Sequence, residues 1–317
     1  MEELIEIARS NQYQIPNDIV KYDTVYIFTD DTYKMAFVDK KKGNYKHIIR
    51  NFTFCLGKIN QKDSRGSKLI HKRVKHLIYE CKSDKNYNLI NKSIILIYQT
   101  VKQMYGEKDW KFVVTGDGAS YIKTLASQLN AKIVLDYFHL VKEMRVLFPL
   151  WRSNKEHREK LAEFLAAVRK DPEYFILNYL NPAIKHDFIP GKLIQLKYLK
   201  NYIKQNIQGI LNYKQDWYFG SCTESCIWHF IKSKCVAKTY NIKTLDNILC
   251  SEEAWINNIN PYEIWLEDIY IDQQEQIYSN NFVPKESDVY QHNIDIPILN
   301  SNLKIAGALK ELMYNYY

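Results

Sequence analysis

Residues 22–56 read YDTVYIFTDDTYKMAFVDKKKGNYKHIIRNFTFCL. Val, Ile, Thr, Tyr and Phe dominate the stretch, the residue types that fit a pleated and half-buried surface. Its one Gly-containing polar break is KKKGN at residues 40–44. The pattern predicts three sequential antiparallel strands, at residues 22–30, 33–39 and 45–56. A basic stretch follows at residues 69–75. Leu89, Ile90, Ile94, Ile97, Tyr98, Val101 and Tyr105 then recur at helical spacing, which predicts a helix over 88–105 that packs on the sheet.

Farther along, KFVVT at residues 111–115 predicts a short buried strand ending at Gly116-Asp117-Gly118. Residues 120–129 carry Tyr121, Leu125 and Leu129 on one helical stripe, and AKIVL at 131–135 predicts another strand. The order β-β-β-α-β-α-β describes an α/β fold, a mixed sheet with helices packed on it. That is the order of an RNase H-like fold. Helical, basic patterns then occupy residues 140–147, 156–170, 172–179 and 192–210, punctuated by Pro149, Pro172, Pro182 and Pro190. These form an all-helical insertion before a further helix at 221–233. The chain divides into a first core part (1–139), the insertion (140–215), a last core helix (216–250) and a C-terminal region (251–317).

Composition bounds the class. The 317 residues are 46% hydrophobic and 25% charged, with only 10 Gly and 8 Pro, which excludes collagen-like, low-complexity and disulfide-stapled miniprotein chains. No run approaches 18 uncharged apolar residues, and the start, Met1-Glu-Glu-Leu-Ile-Glu, lacks a basic region and apolar stretch, so neither membrane nor secretion is expected and the chain reads as cytoplasmic. Six cysteines without framework spacing read as thiols. The net charge of +8 is unevenly spread: residues 251–317 hold 3 Lys/Arg against 11 Asp/Glu, leaving about +16 on residues 1–250. A basic body suits a polyanion such as DNA, with the acidic end away from it; a lysine-rich solubilising surface reads the same way on charge alone.

Three acidic residues fall at predicted element ends. Asp30 ends the first strand, Asp117 the fourth, and Glu224 starts a late helix. Hard cations such as Mg²⁺ and Mn²⁺ take carboxylate oxygens, and two such ions serve phosphoryl transfer by activating the attacking oxygen and stabilising the leaving one. Carboxylates at the carboxyl ends of adjacent parallel strands are well placed for that work. The glycines around Asp117 allow a sharp turn and close approach of a phosphate to the next helix N-terminus, although Gly-Asp-Gly-Ala is equally a turn with Asp as cap. Ser221-Cys-Thr-Glu224 also reads as a capping box, in which Glu224 bonds back to the helix start. Asp136-Tyr-Phe-His139 puts a carboxylate and an imidazole near the same sheet edge, where a buried His–Asp pair is the plainer reading. Cys222, Cys226, His229 and Cys235 are a weak zinc set with no CxxC pair, and buried thiols explain them more simply.

YIFTD (26–30), TGDGASYIK (115–123), LDYFHLVK (135–142) and GSCTE (220–224) together resemble the ISLre-type transposases, a branch related to Mutator-like DDE transposases of bacterial insertion sequences and integrative elements. The four blocks stand in order across residues 25–235. The resemblance implies an RNase H-like catalytic domain with the helical insertion before the last acidic residue. Asp30, Asp117 and Glu224 then match the catalytic, metal-holding carboxylates, with Asp31 able to replace Asp30 if the strand register shifts by one residue. Asp136 and His139 match the Asp-x-x-His element, in a supporting role. Relatives begin with a sizeable N-terminal region expected to include DNA-binding helices, so beside them the chain reads as N-terminally truncated.

The function expected from these readings is metal-dependent DNA strand cleavage and transfer, acting on transposon ends and target DNA. Lys155, Arg158, Lys160, Lys192, Lys197 and Lys200 of the insertion would hold backbone phosphates, although a solvated helix face reads equally well, and a homo-oligomer is compatible with the sequence. The alternatives are an inactive remnant that binds nucleic acid and an RNase H-like nuclease without a transposition role.

Overall fold

In the computed structural model, the described residues are 15–259, apart from 38–42, 44, 61–66, 82–85, 149, 187–188 and 238. Most of the predicted C-terminal region 251–317 therefore lies outside them. The strands are β1 (Thr24–Phe37), β2 (Tyr45–Cys55), β3 (Gly57–Asn60), β4 (Ser67–Ile70) and β5 (Arg73–Glu80), then β6 (Lys111–Gly116), β7 (Lys132–Leu135) and β8 (Thr239–Asn241). The helices are α1 (Asn86–Tyr105), α2 (Ser120–Gln128), α3 (Tyr137–Met144), α4 (Lys155–Lys170), α5 (Pro172–Phe175), α6 (Asn181–Lys185), α7 (Leu193–Gln205), α8 (Ile207–Leu211), α9 (Thr223–Ile227) and α10 (Ile242–Asn257). Wider π turns continue α5 over Ile176–Leu180 and α9 over Trp228–Lys232.

The fold is mixed α/β. Its main sheet has the order β5-β2-β1-β6-β7, with β8 also on β1. β1, β2 and β5 run antiparallel, whereas β6, β7 and β8 are parallel to their neighbours. Two sequence expectations change here. The strands expected at 22–30 and 33–39 are one continuous β1, because Asp30, Asp31 and Thr32 stay in register with Asn51, Arg50 and Ile49 and no turn residue interrupts them. The third antiparallel strand is β5, which lay partly within the basic stretch and has Val74 and His76 buried on one face. Asp30 therefore sits inside a long strand rather than at its end.

Period-two alternation sends β1 residues to two different cores. Val25 and Ile27, with Phe52, Phe54 and Val114, pack under Ile97, Val101 and Met104 of α1 and Ile122 and Leu125 of α2. Tyr26 faces the other way and joins Val113, Val134 and Leu135 against Leu140 of α3, Leu161 of α4 and Leu199 and Ile203 of α7. Farther along that second face, Ala36, Ile49 and Val74 pack on Phe230, Ile231 and, from α10, Leu245 and Leu249. Two helical blocks thus cover one face of the sheet, and they meet along β1. β6 pairs with β1 only from Thr24 to Phe28 and β8 only from Met35 to Phe37, leaving residues 29–34 between them.

The insertion helices follow the sequence closely. α4 starts behind Asn154, whose side chain accepts the His157 N–H, and buries Leu161, Leu165 and Val168 at helical spacing. α7 buries Leu196, Leu199 and Ile203 in the same way. No described helix is long and apolar enough to cross a membrane.

Candidate metal centre

Asp30 lies in the stretch of β1 that neither β6 nor β8 spans, on the face where the two helical blocks meet. His139 comes from α3, which begins directly after β7. Glu224 comes from α9, beyond the whole insertion. One ligand atom from each of these three side chains lies within 4.8 Å of the other two. The His139 Nε2 stands 3.7 Å from Asp30 Oδ2, outside hydrogen-bond range, and is buried without a hydrogen-bond partner among the described residues. Burial pulls the imidazole pKa down, but the Asp30 carboxylate, with Asp136 and Asp117 behind it, outweighs burial and holds it above its ordinary value. Lys232 Nζ donates to Glu224 Oε1 at 2.7 Å, so this carboxylate already has a cation beside it.

Asp136 does not pair with His139. One of its oxygens caps α3 by accepting the Phe138 N–H at 2.8 Å, and the other accepts the Ser221 hydroxyl at 2.6 Å. The Asp-x-x-His spacing works by division of labour. Asp136, nearly fully buried, ties the start of α3 to the segment leading into α9, and so fixes His139 and Glu224 relative to each other. The same bond dissolves the expected capping box: Ser221 is turned toward Asp136, α9 starts behind Cys222 with no side-chain cap, and Glu224 points into the cluster instead.

Asp117 is near the group but not a member of it. Its Oδ1 accepts the Ala119 N–H at 2.9 Å, a local turn bond one residue ahead of α2, and its backbone carbonyl accepts the Tyr202 hydroxyl of α7 at 2.8 Å. Burial pushes its carboxyl pKa up; the Ala119 N–H opposes that and the negative field of Asp30 adds to it. Gly118, at φ +85°, is required twice over. Its backbone sits where L side chains are strained, and a Cβ there would lie 2.7 Å from Asn206 Oδ1. The space expected for a phosphate at Gly118 is thus filled by Asn206, whose carboxamide reaches in from the end of α7.

Asp31 faces the opposite core. Arg50 holds both its oxygens, Nε at 2.8 Å and Nη2 at 2.9 Å, and the Tyr79 hydroxyl adds a third bond at 3.3 Å. The guanidinium lies 3.6 Å from the centre of the Tyr121 ring. This carboxylate is consumed by structure and does not substitute for Asp30.

On α4, Lys160 pairs with Glu156 at 2.6 Å and Lys155 with Glu159 at 3.8 Å, so that face compensates its own charge; Arg158 beside them is exposed. On and just before α7, Lys197 is exposed and Lys192 and Lys200 are half-buried, on the helix that reaches Asp117 through Tyr202. Of the weak zinc set, Cys222 and Cys226 are side by side, Sγ to Sγ 3.8 Å, but among the described residues neither His229 nor Cys235 joins them in a ligand group; Cys235 is fully buried in the core under α10. Lys232, Ser221, Tyr202 and Asn206 were not singled out from the sequence as site residues, and only Ser221 stood within a quoted motif. No protein-family model matches the chain, nor does any curated protein, so the functional reading rests on this geometry.

Proposed function

We propose that the chain is the catalytic domain of a DDE-type transposase, cutting and transferring DNA strands with divalent metal. The observation that carries this reading is the meeting of Asp30, His139 and Glu224, from three elements far apart in sequence, beside the stretch of β1 that its two parallel partners leave between them. Open α/β sheets place ligands beyond the carboxyl ends of parallel strands, and Asp30 lies two residues past Phe28, where the pairing of β1 with β6 ends. Three antiparallel strands followed by helix-linked parallel strands is the order on which the RNase H-like interpretation stands, and the long helical insertion precedes Glu224 as that interpretation requires.

The donor set fits a divalent ion. Two carboxylates and an imidazole with a buried, unbonded Nε2 form a group to which Mn²⁺ is better suited than Mg²⁺, which favours oxygen donors throughout. Asp30, His139 and Glu224 would hold it, with Asp117 close by. Such an ion supplies Lewis-acid stabilisation of the charge that develops on a reacting phosphodiester. Asp136 and Ser221 hold His139 and Glu224 in position. Lys197 and Lys200 of α7 are better placed to neutralise DNA phosphates than Lys155 and Lys160, which are partnered on α4.

The test is incubation of the full chain with supercoiled plasmid and end-labelled duplex in Mn²⁺ or Mg²⁺. A transposase nicks and joins, a nuclease nicks only, and a remnant binds without cutting. Cleavage should fall to background in Asp30→Asn and Glu224→Gln and persist in Lys155→Ala. Cleavage that survives both carboxylate changes rules the reading out.

A further inference from the structure

A second group of ligating side chains lies on the edge strand β5 and α10. We propose that His76, Asp246 and Cys250 form a separate binding site for a borderline-soft divalent ion of the Zn²⁺ class, linking the sheet edge to α10. One ligand atom from each lies within 4.8 Å of the other two. Asp246 and Cys250 are four residues apart on α10 and so share a helix face. Tetrahedral Zn²⁺ at ordinary bond lengths needs neighbouring ligand atoms about 3.3–3.8 Å apart. His76 Nε2 is already 3.0 Å from Asp246 Oδ1, and Cys250 Sγ is 4.0 Å from that oxygen, so small side-chain rotations reach the required spacing. A mixed imidazole, carboxylate and thiol set selects zinc-like ions over Mg²⁺.

The second observation is how His76 is held. Its Nδ1 faces Glu253 Oε1 at 2.5 Å, and its own backbone N–H donates to the same oxygen at 2.6 Å. The other Glu253 oxygen is bound by Lys75 at 3.1 Å. Glu253 is buried and His76 nearly so, which locks the ring with Nε2 aimed at Asp246 and Cys250. A carboxylate on the far nitrogen is the usual support of a metal-bound histidine, because it fixes the tautomer and strengthens the donor. Asp246 is about half exposed, which gives an ion a way in from solvent. Burial lowers the His76 pKa, but the Glu253 and Asp246 carboxylates outweigh it and raise it to about 9, so an ion entering here competes with a proton. This site shares no residue with the Asp30 cluster and does not depend on the function proposed above.

Cobalt(II) reports the site, since a thiolate ligand gives an intense charge-transfer band that oxygen and nitrogen ligands do not. Titrating the full chain with Co²⁺ should produce that band, with an intensity that saturates at one thiolate-bound ion per chain, displaceable by Zn²⁺. Glu224→Gln, which disables only the other cluster, should leave it intact. Cys250→Ser should abolish it, and Asp246→Asn should weaken Zn²⁺ binding by roughly 10-fold or more. Both positions are solvent-accessible, so these variants should fold normally by circular dichroism. Absence of the band in the wild type overturns the proposal. So does a band that survives Cys250→Ser, which would assign it to another thiol, such as the Cys222–Cys226 pair.

Discussion

Asp30 and Asp31 are neighbours on one strand, yet their surroundings have nothing in common. Asp31 turns toward the core under α1 and α2, where Arg50 grips both oxygens and Tyr79 and Tyr121 close around the pair. Asp30 turns toward the seam, where among the described residues one oxygen accepts only the adjacent Asp31 N–H at 2.7 Å and the other faces an imidazole too distant to bond. One carboxylate is saturated by the fold. The other stands beside His139 Nε2, which among the described residues has no hydrogen-bond partner and, unlike the equally unpartnered Tyr121 hydroxyl on the Asp31 side, belongs to a ligand group with two carboxylates.

Mutation should separate the two faces. The largest effect is expected at Asp31→Ala: Arg50, 5% exposed, loses its counter-charge, and removing one partner of a buried pair costs about 3–5 kcal/mol, measurable by urea denaturation. Asp30→Asn should change stability by only about 1 kcal/mol or less, because the lost attraction to the His139 imidazole is offset by relief of repulsion with Asp117, while abolishing metal-dependent cleavage. Equal stability losses at both positions would erase the distinction. Gly118→Ala should cost about 2 kcal/mol, from the left-handed backbone and the collision with Asn206, and should perturb Asp117 on the seam side while the Arg50–Asp31 bond persists.

Ser221→Ala removes a hydrogen bond to a buried carboxylate, worth about 1.5 kcal/mol. It should also loosen His139 relative to Glu224, so metal affinity should fall by more than the stability loss explains; an unchanged Mn²⁺ affinity would deny Asp136 its tying role. Lys232→Met should have the smallest effect on folding, about 1 kcal/mol or less for a pair this exposed. It removes a cation competing for Glu224, so Mn²⁺ should bind up to about fivefold more tightly, as calorimetry can measure.

The helices were the most legible elements because their signal is local. The spacing of Leu161, Leu165 and Val168 and the Asn154 cap are written within one segment. β5 was obscured because Arg73 and Lys75 fall in the basic stretch at 69–75, although Lys75 and the next residue, His76, are engaged by Glu253 from the far end of α10. α10 itself was missed despite the Asn241 cap and the spacing of Leu245 and Leu249, since acidic residues 252 and 253 blurred its boundary. The break imagined between residues 30 and 33 had no turn chemistry behind it. At the site, Asp30, His139 and Glu224 could be listed from motif blocks, but their meeting depends on which face of β1 each block reaches. Asn206 under Gly118 and Lys232 on Glu224 are long-range or π-turn contacts that no window of sequence displays.

The most direct measurement is Mn²⁺ uptake by the full chain, followed by the electron paramagnetic resonance signal of the free ion, in wild type, Asp30→Asn and Glu224→Gln. If the seam holds the catalytic metal, each variant binds one ion fewer per chain than the wild type while keeping its circular dichroism spectrum. Identical uptake by all three folded proteins would contradict a metal centre at Asp30, His139 and Glu224.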